Sequence, residues 1–311
     1  MNLPKWPQLN IPARHLRPAF VFHPSSFLPH PSFCRLPPSA LISYNAGMSN
    51  DLSQILNEWR FQPDEVLVRI VPGDDGRGKV QLRVDLGILQ MEMDGRPDGY
   101  RPEGCDSWLD FYEQRQRAHD ETHPDAAPFL LDEDDCIRLW REAVQYYHRY
   151  LSFWHLDLYE LCARDTTRNL RLFAFVRAHA RDDRHKLQFD QWRPYVVMMH
   201  ARAVATPLID QRLHEDGLRV IEAGIDAIRE FLDEYDQAER AAECVELVSL
   251  ERWREEILSQ EERVAAARPK SAAQILRQKL DAAIAAEEFE EAARLRDQIR
   301  KLAEEKKKKK T

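Results

Sequence analysis

The chain has 311 residues, of which 43% are hydrophobic and 32% charged, and its 45 basic and 53 acidic residues give a net charge of −8. A chain of this length has enough apolar residues for about two domains with real cores. The acidic balance argues against a protein that coats nucleic acid, because duplex DNA repels such a chain unless its basic groups are clustered.

Residues 1–47 contain nine prolines and four basic residues but no aspartate or glutamate. A tract so rich in proline forms neither helix nor sheet, which predicts a disordered leader. An ordinary amphipathic sequence begins at Met48, so an alternative is that the first 47 residues are a mis-assigned start.

Residues 48–122 read as a small α+β domain containing a β-hairpin. A short helix or turn is expected at Ser53–Trp59, and alternating apolar residues predict a strand from Val66 to Val71. A second, long strand is expected from Val80 to Met93, bulged or broken at Gly87. Helical spacing returns between Ser107 and His119.

The turn between the strands, GDDGRGKV at 73–80, has the glycines and the lysine of a phosphate-binding P-loop. Val80 stands where that loop needs serine or threonine, and strand alternation follows at once where a helix is required. The pattern therefore favours a hairpin turn over a nucleotide site. Beyond this turn, polar residues alternate along the second strand and continue into the next loop. They predict either a solvent-exposed sheet face or a ligand-binding patch. The candidate patch residues are Arg83, Asp85, Glu92, Arg96 and Asp98.

A linker of sequence HPDAAP at 123–128 precedes a helical scaffold at 129–268, read as a bundle or an irregular α-hairpin array without a fixed repeat. Acidic residues at 132–135 suit a helix start. The expected helices are one long helix from Cys136 to about Ala163, one capped by Asp165 or Thr166, one from Leu187 to Ala205, one starting at Pro207, and one from Gln237 to Ala267, which Pro269 ends. The fold class is thus mostly α with a small α+β N-terminal part.

No catalytic residue, metal site or cofactor is predicted. The five cysteines form no CxxC pair, which indicates a reducing compartment, and the eleven histidines are scattered. G-x-S-x-G and HExxH motifs are missing, so a non-enzymatic protein is favoured although the question stays open. No apolar run is long enough for a spanning helix, and a cytoplasmic location without a membrane partner is expected.

Residues 271–305 contain two apolar stripes with spacings of three and four, interrupted at Glu287 and Glu288. This pattern predicts a helix–turn–helix hairpin. The Lys-rich tail at 306–311 reads as a solvated charge run with no strong nucleic-acid signal.

The hairpin resembles the UVR motif shared by the excision-repair proteins UvrB and UvrC and by some regulators of Clp ATPases. The resemblance rests on EEFEEAARLRDQI at 287–299 and covers about 272–305. It implies a protein-contact module, with the partner a UVR-like hairpin in UvrB, UvrC or a Clp ATPase, or a second copy of the chain. The expected partner-binding residues are Leu280, Ile284, Phe289, Ala292, Ala293, Leu295, Arg296, Asp297 and Ile299.

The helicase motifs of UvrB, the nuclease domains of UvrC and the paired CxxC sites of the Clp regulators do not occur in the rest of the sequence. The resemblance therefore implies an adaptor that shares the contact module alone, with a link to excision repair or to a Clp protease. A different reading is an enzyme or ligand-binding protein that uses the polar face of the 79–101 hairpin.

Overall fold

The computed structural model describes residues 51–122, 127–267 and 272–308. The leader predicted at 1–47 and most of the linker predicted at 123–128 lie outside these residues, as does Pro269. The described chain divides into two compact units, one ending at Asp236 and one beginning at Gln237. The division into 48–122, 129–268 and 271–305 stays a prediction.

The described elements follow one another in chain order. They are α1 (Ser53–Glu58), β1 (Leu67–Pro72), β2 (Gly78–Val84), β3 (Gly87–Glu92), α2 (Trp108–Thr122), α3 (Glu133–His155), α4 (Tyr159–His179), α5 (Asp183–Asp190), α6 (Arg193–Asp210), α7 (His214–Glu234), α8 (Val245–Ala267), α9 (Ala272–Ala285) and α10 (Phe289–Lys308), with short 3-10 turns at Pro102–Gly104 and Ala238–Glu243. This confirms the predicted fold class, mostly helical with a small sheet near the N-terminal end.

The sheet has three antiparallel strands in the order β1-β2-β3. The predicted second strand is broken, as the prediction allowed, but the prediction was wrong about what the break does: the chain reverses at Asp85 and Leu86, and Val84 pairs with Gly87. Alternation could not reveal this reversal, since a two-residue turn leaves the apolar period of both strands intact. The apolar face of the sheet, with Val80 and Leu82, packs against Tyr150 of α3.

Helix α3 begins where the acidic residues predict it. The Asp132 side chain accepts a hydrogen bond from the Asp135 backbone N–H at 2.9 Å, and the Asp135 side chain accepts one from the Asp132 backbone N–H at 3.2 Å. The hydrogen bond from Asp135 lowers the pKa of Asp132. This reciprocal capping satisfies two of the donors that a helix start leaves open.

The long helix expected from Cys136 to Ala163 was also wrong, because it is two helices that meet at Asp157. Asp157 adopts a left-handed φ of 57°. Its N–H donates to the Trp154 carbonyl at 3.2 Å, and the Leu158 N–H donates to the Phe153 carbonyl at 2.9 Å. These bonds form a Schellman motif, which ends a helix and turns the chain back.

The same turn joins α6 to α7, with Arg212 at φ 63° and Leu213 donating to the Leu208 carbonyl at 2.9 Å. Pro207 therefore lies inside α6 and does not start the next helix as predicted. Asp165 and Thr166, expected to cap a helix, are buried in the middle of α4.

Two further helices begin elsewhere than predicted. The helix expected from Leu187 to Ala205 is divided between α5 and α6. The helix expected from Gln237 starts as a 3-10 turn and becomes α-helical at Val245.

Candidate protein-interaction site

The C-terminal hairpin is built by a third turn of this kind. Helix α9 ends at Ala285 and α10 begins at Phe289. Between them Glu287 has a φ of 59°, its N–H donates to the Ile284 carbonyl at 3.1 Å, and the Glu288 N–H donates to the Ala283 carbonyl at 2.9 Å. The turn satisfies the last carbonyls of α9 and directs α10 back along it.

The two helices close on each other through small and branched side chains. Ala283, Ala292 and Leu295 expose only 5%, 9% and 5% of their surface, and the partly buried Leu276 and Leu280 pack against them. Alanine at two of these positions lets the helix backbones approach closely. Leu295 and Ala292 therefore serve the hairpin's own core.

A second set of the predicted residues stays outside this core. Phe289 exposes 72% of its surface and Ile284 exposes 53%, both at the end of the hairpin where the turn lies. Ala293 and Arg296 are also exposed, and the helical period places them on the same side of α10 as Phe289. An exposed aromatic residue at this position gives a partner a large apolar anchor.

The remaining predicted residues lie at the margin of the hairpin. Ile299 is half-buried, and the exposed Asp297 pairs with Arg300 at 3.1 Å. An exposed pair of this kind contributes at most about 1 kcal/mol to stability. Asp297 is therefore available to other partners at little cost.

The five residues of the predicted ligand patch do not meet at one place. Arg83 is opposite Ile88 in the sheet, while Glu92 is opposite Lys79, four residues further along. That separation corresponds to roughly 13 Å along the strand. Asp85 is exposed in the β2–β3 turn, where it accepts a hydrogen bond from the Leu86 N–H at 2.9 Å.

The polar groups of this sheet face already have partners within the protein. Arg83 is 7% exposed and donates to the carbonyls of Trp59 at 2.8 Å and Gly87 at 3.0 Å. Lys79, the lysine of the P-loop-like turn, contacts Glu92 at 2.6 Å and Asp75 at 2.8 Å. The turn is part of an antiparallel hairpin, as predicted.

A buried ionic cluster was missed by the sequence analysis. Arg149 on α3 and Asp165 on α4 each have side chains only 1% exposed, and they form two hydrogen bonds, Nε to Oδ2 at 2.6 Å and Nη2 to Oδ1 at 2.9 Å. Arg149 Nη1 donates to the carbonyls of Glu92 at 3.0 Å and Gly95 at 2.8 Å. One guanidinium thus joins two helices and the loop that follows β3.

A second arginine extends the cluster to the same loop. Arg164 donates from Nε to Asp165 at 3.0 Å, from Nη1 to Asp94 at 2.6 Å and from Nη2 to the Met93 carbonyl at 2.8 Å. Asp165 therefore accepts from two arginines. Arg149 and Arg164 thus hold the loop that follows β3 through its backbone carbonyls at Met93 and Gly95.

Glu142 forms the other half of the cluster and is fully buried. It accepts hydrogen bonds from the first N–H groups of α2, Trp108 at 2.8 Å and Leu109 at 3.2 Å. Its carboxylate also pairs with Arg96, at 3.3 Å from Nε, and with Arg168. A carboxylate at a helix N-terminus is favoured by the helix dipole, so Glu142 anchors α2 to α3.

A signal for this cluster does exist in the sequence. Glu142 and Arg149 are seven residues apart on α3 and share the helix face of Tyr146, Tyr150 and Phe153. Charged residues are rarely buried unless paired. Two charges within an apolar stripe therefore indicate that each of them is buried with a partner from another part of the chain.

Two buried thiols and a small apolar cavity in the first unit offer neither a reactive nucleophile nor space for a ligand. Burial raises the pKa of Cys136 and Cys162 to about 12, so both thiols stay protonated at neutral pH. The described residues include no group of three or more histidine, cysteine or acidic side chains that could hold a metal ion. An apolar cavity of about 30 Å³ between Trp140 and Tyr195 has room for one or two water molecules.

Comparison with known proteins bears on the hairpin. Residues 276–305 match the family model of the UvrB/uvrC motif. The motif is a protein-interaction element in UvrB, UvrC and related proteins, and its presence indicates an interaction with proteins or one related to DNA repair.

No curated protein and no solved structure matches the chain. None of the helices within the described residues is long and apolar enough to cross a membrane.

Proposed function

We propose that this protein is a non-enzymatic adaptor that docks a partner through its C-terminal hairpin. The partner carries a hairpin of the same kind, in UvrB or UvrC of excision repair, in a Clp-type ATPase, or in a second copy of this chain. The observation that carries the proposal is the 72% exposure of Phe289 beside the exposed Ile284, within a segment that matches a protein-interaction motif.

The separation of core residues from exposed residues within the hairpin supports this proposal. Leu295 and Ala292 hold the two helices together, so the fold of the hairpin does not need Phe289. A phenylalanine that stays in water loses the stabilisation of about 1.5–3 kcal/mol that its burial brings. A partner surface that covers Phe289 recovers this free energy.

The first unit supplies a rigid body for the adaptor. Its ionic cluster joins the loop that follows β3 to α3 and α4 through several charge-assisted hydrogen bonds. Such bonds are short and geometrically specific. In the proposal this unit is the part of the adaptor that the docking hairpin brings to the partner.

The test is a calorimetric binding measurement of the purified full chain with purified UvrB, UvrC and a Clp ATPase, and of the full chain with itself on dilution. We expect one of them to bind, and Phe289→Ala to weaken that binding at least tenfold, which is the loss of about 1.4 kcal/mol expected for an interface anchor. Ile284→Ala should weaken the same interaction.

Leu86→Ala is the matched control, because Leu86 exposes 90% of its surface in the β2–β3 turn, far along the chain from the hairpin. It should leave binding unchanged. Equal affinities of wild type, Phe289→Ala and a chain lacking 271–311 would refute the docking role of the hairpin.

A further inference from the structure

The two edges of the three-stranded sheet differ in how the protein treats them. At the β3 edge, the Glu92 N–H donates to the Pro97 carbonyl at 2.8 Å, and the Glu92 carbonyl accepts a hydrogen bond from Arg149 at 3.0 Å. The loop that follows β3 and the ionic cluster thus occupy the end of that edge. The other edge is β1, and a strand edge that stays open is a template for another strand.

The register shows which backbone groups of β1 face away from the sheet. Glu92 lies opposite Lys79 but forms its hydrogen bonds away from β2. In antiparallel sheets the residues of a strand alternate between their two neighbours, so Lys79 bonds to Val71, which lies opposite it on β1. Counting back along β1, Val68 and Ile70 direct their N–H and C=O groups outward.

These outward groups have no partner in the described part of the chain. No hydrogen bond of the described residues reaches the outward backbone groups of Val68 or Ile70. The strand also lacks the usual protections of an edge: it contains no lysine, its register has no bulge, and Pro72 stands only at its last position. Its one charged side chain, Arg69, lies over the Trp59 ring at 4.1 Å. Four backbone groups of an apolar edge are therefore open to a strand from outside.

The side chain of Ile70 shows the same opening. It shares one row of core-facing side chains with Val80 and Met91. Val80 and Met91 expose 0% and 6% of their surface, whereas Ile70 exposes 47%. The apolar row is thus covered on β2 and β3 and open on β1. An apolar side chain of an added strand would lie beside Ile70 and extend the row.

Acidic residues flank the open edge at both ends. Asp64 and Glu65 precede β1 and Asp74 follows it, and all three are exposed. Asp75 pairs with Lys79 at 2.8 Å, but these three have no basic partner among the described residues. A strand that brings a basic residue to each end of β1 is complementary to this distribution of charge.

The same charges disfavour a second copy of β1 as the added strand. An antiparallel pair of two β1 strands places the start of each beside the end of the other. Asp64 and Glu65 of one copy would then lie near Asp74 of the other, at both ends of the pair. Like charges in such positions are destabilising.

We propose that the β1 edge binds an extended segment of another protein, which joins the sheet as a fourth, antiparallel strand. The segment has apolar residues at alternate positions, one of them beside Ile70, and a basic residue at each end, near Glu65 and Asp74. Backbone hydrogen bonds give strand addition its affinity, and the alternate side chains give it specificity. This site goes beyond the proposed role of the hairpin, because it gives the first unit a partner of its own.

The experiment is an NMR titration of the isotope-labelled full chain with the synthetic peptide KTVTVTK, acetylated and amidated at its ends. The amide signals of Val68 and Ile70 should shift, with a dissociation constant of roughly 10–1,000 µM, as suits a short, flexible peptide. Before the peptide is added, these two amides should exchange with solvent faster than those of Arg69 and Val71, which bond to β2. Bound peptide should slow their exchange.

One pair of variants tests the edge itself. Ile70→Lys should weaken binding of KTVTVTK at least tenfold, because it places a positive charge where the apolar row ends. Ile70 is half-exposed, so the substitution leaves the buried core in place. Gln90→Lys is the matched control, because it adds the same charge at an exposed position of β3, on the other edge, and should leave binding unchanged.

A second pair tests the charges. Glu65→Lys/Asp74→Lys should weaken binding of KTVTVTK about tenfold, as expected for the loss of two exposed ion pairs, and should allow the peptide ETVTVTE to bind. Glu160→Lys/Glu222→Lys changes the net charge equally at exposed helix positions and should alter neither result.

Three results would overturn the proposal. The first is the absence of any shift of the Val68 and Ile70 amides at about 1 mM peptide, the upper end of weak binding. The second is equal binding of the peptide to wild type and to Ile70→Lys. The third is a shift of the same amides with protein concentration alone, which would assign the edge to a second copy. Phe289→Ala should bind the peptide as wild type does, so failure at β1 and failure of the hairpin's docking role are told apart.

Discussion

The buried pair of Arg149 and Asp165 gives the sharpest test of what holds the first unit together. Arg149→Met keeps most of the apolar stem and removes the guanidinium. The change deletes two hydrogen bonds to Asp165 and two to the carbonyls of Glu92 and Gly95. Asp165, whose side chain is 1% exposed, then keeps only its contact with Arg164 at 3.0 Å.

The expected loss follows from the burial of the charge that remains. Removing one partner of a buried ion pair typically costs 3–5 kcal/mol, because the other charge stays desolvated. Since Arg164 still pairs with Asp165, we expect the lower end, about 3 kcal/mol. For a domain of this size, that corresponds to a fall in Tm of roughly 6–12 °C.

The assay is denaturant unfolding of the full chain followed by tryptophan fluorescence. Arg171→Met is the control, because Arg171 pairs with Asp110 at a comparable 2.7 Å but its side chain is 52% exposed. Exposed pairs contribute about 0–1 kcal/mol. Asp165→Asn should destabilise about as much as Arg149→Met, and the double variant should lose less than the sum. Equal, small losses for Arg149→Met and Arg171→Met would refute the reasoning.

Three further changes test other features. Glu287→Gly should stabilise the hairpin by about 1 kcal/mol, because glycine adopts the left-handed φ of 59° without strain. Amide hydrogen exchange in α9 and α10 should then be slower than in the wild type, and faster exchange would contradict the prediction. Gly217→Ala should destabilise the protein by about 1–2 kcal/mol in thermal unfolding, because the new Cβ would lie 2.9 Å from Ile209 Cγ1 and would also clash with its Cδ1, which outweighs the helix propensity gained. Ile209→Val in the same chain should relieve the clash, and a stabilised single variant would show the clash to be absent. Burial lowers the pKa of His148 to about 4, below the 6.5 of an unfolded histidine. Between these values the unfolded chain binds a proton that the folded chain does not, so the free energy of unfolding should fall by up to about 3 kcal/mol as the pH drops from 6.5 to 4. An NMR titration that gives His148 a pKa near 6.5 would exclude this.

Local patterns were sufficient where a short stretch of sequence carries the whole physical cause. The acidic start of α3, the β1–β2 hairpin and the hairpin at α9 and α10 all follow from spacing and from capping chemistry. The motif match at 276–305 is of the same kind, because its residues are consecutive and their spacing alone defines both helix faces. Which of these residues face outward was not visible in the pattern: Phe289 and Leu295 read alike, yet one is exposed and the other buried.

Tertiary structure decided where several helices end. The turns at Asp157 and Arg212 use left-handed residues that are not glycine, and the residues that follow them, Leu158 and Leu213, are apolar and read as a continuing helix. A left-handed conformation costs such residues about 1–2 kcal/mol. The chain adopts it because each turn lets two helices pack against each other, and that gain depends on residues distant in sequence. The pairing of Arg149 with Asp165 depends on those same helix contacts, since a buried charge is stable only when folding brings its partner to it.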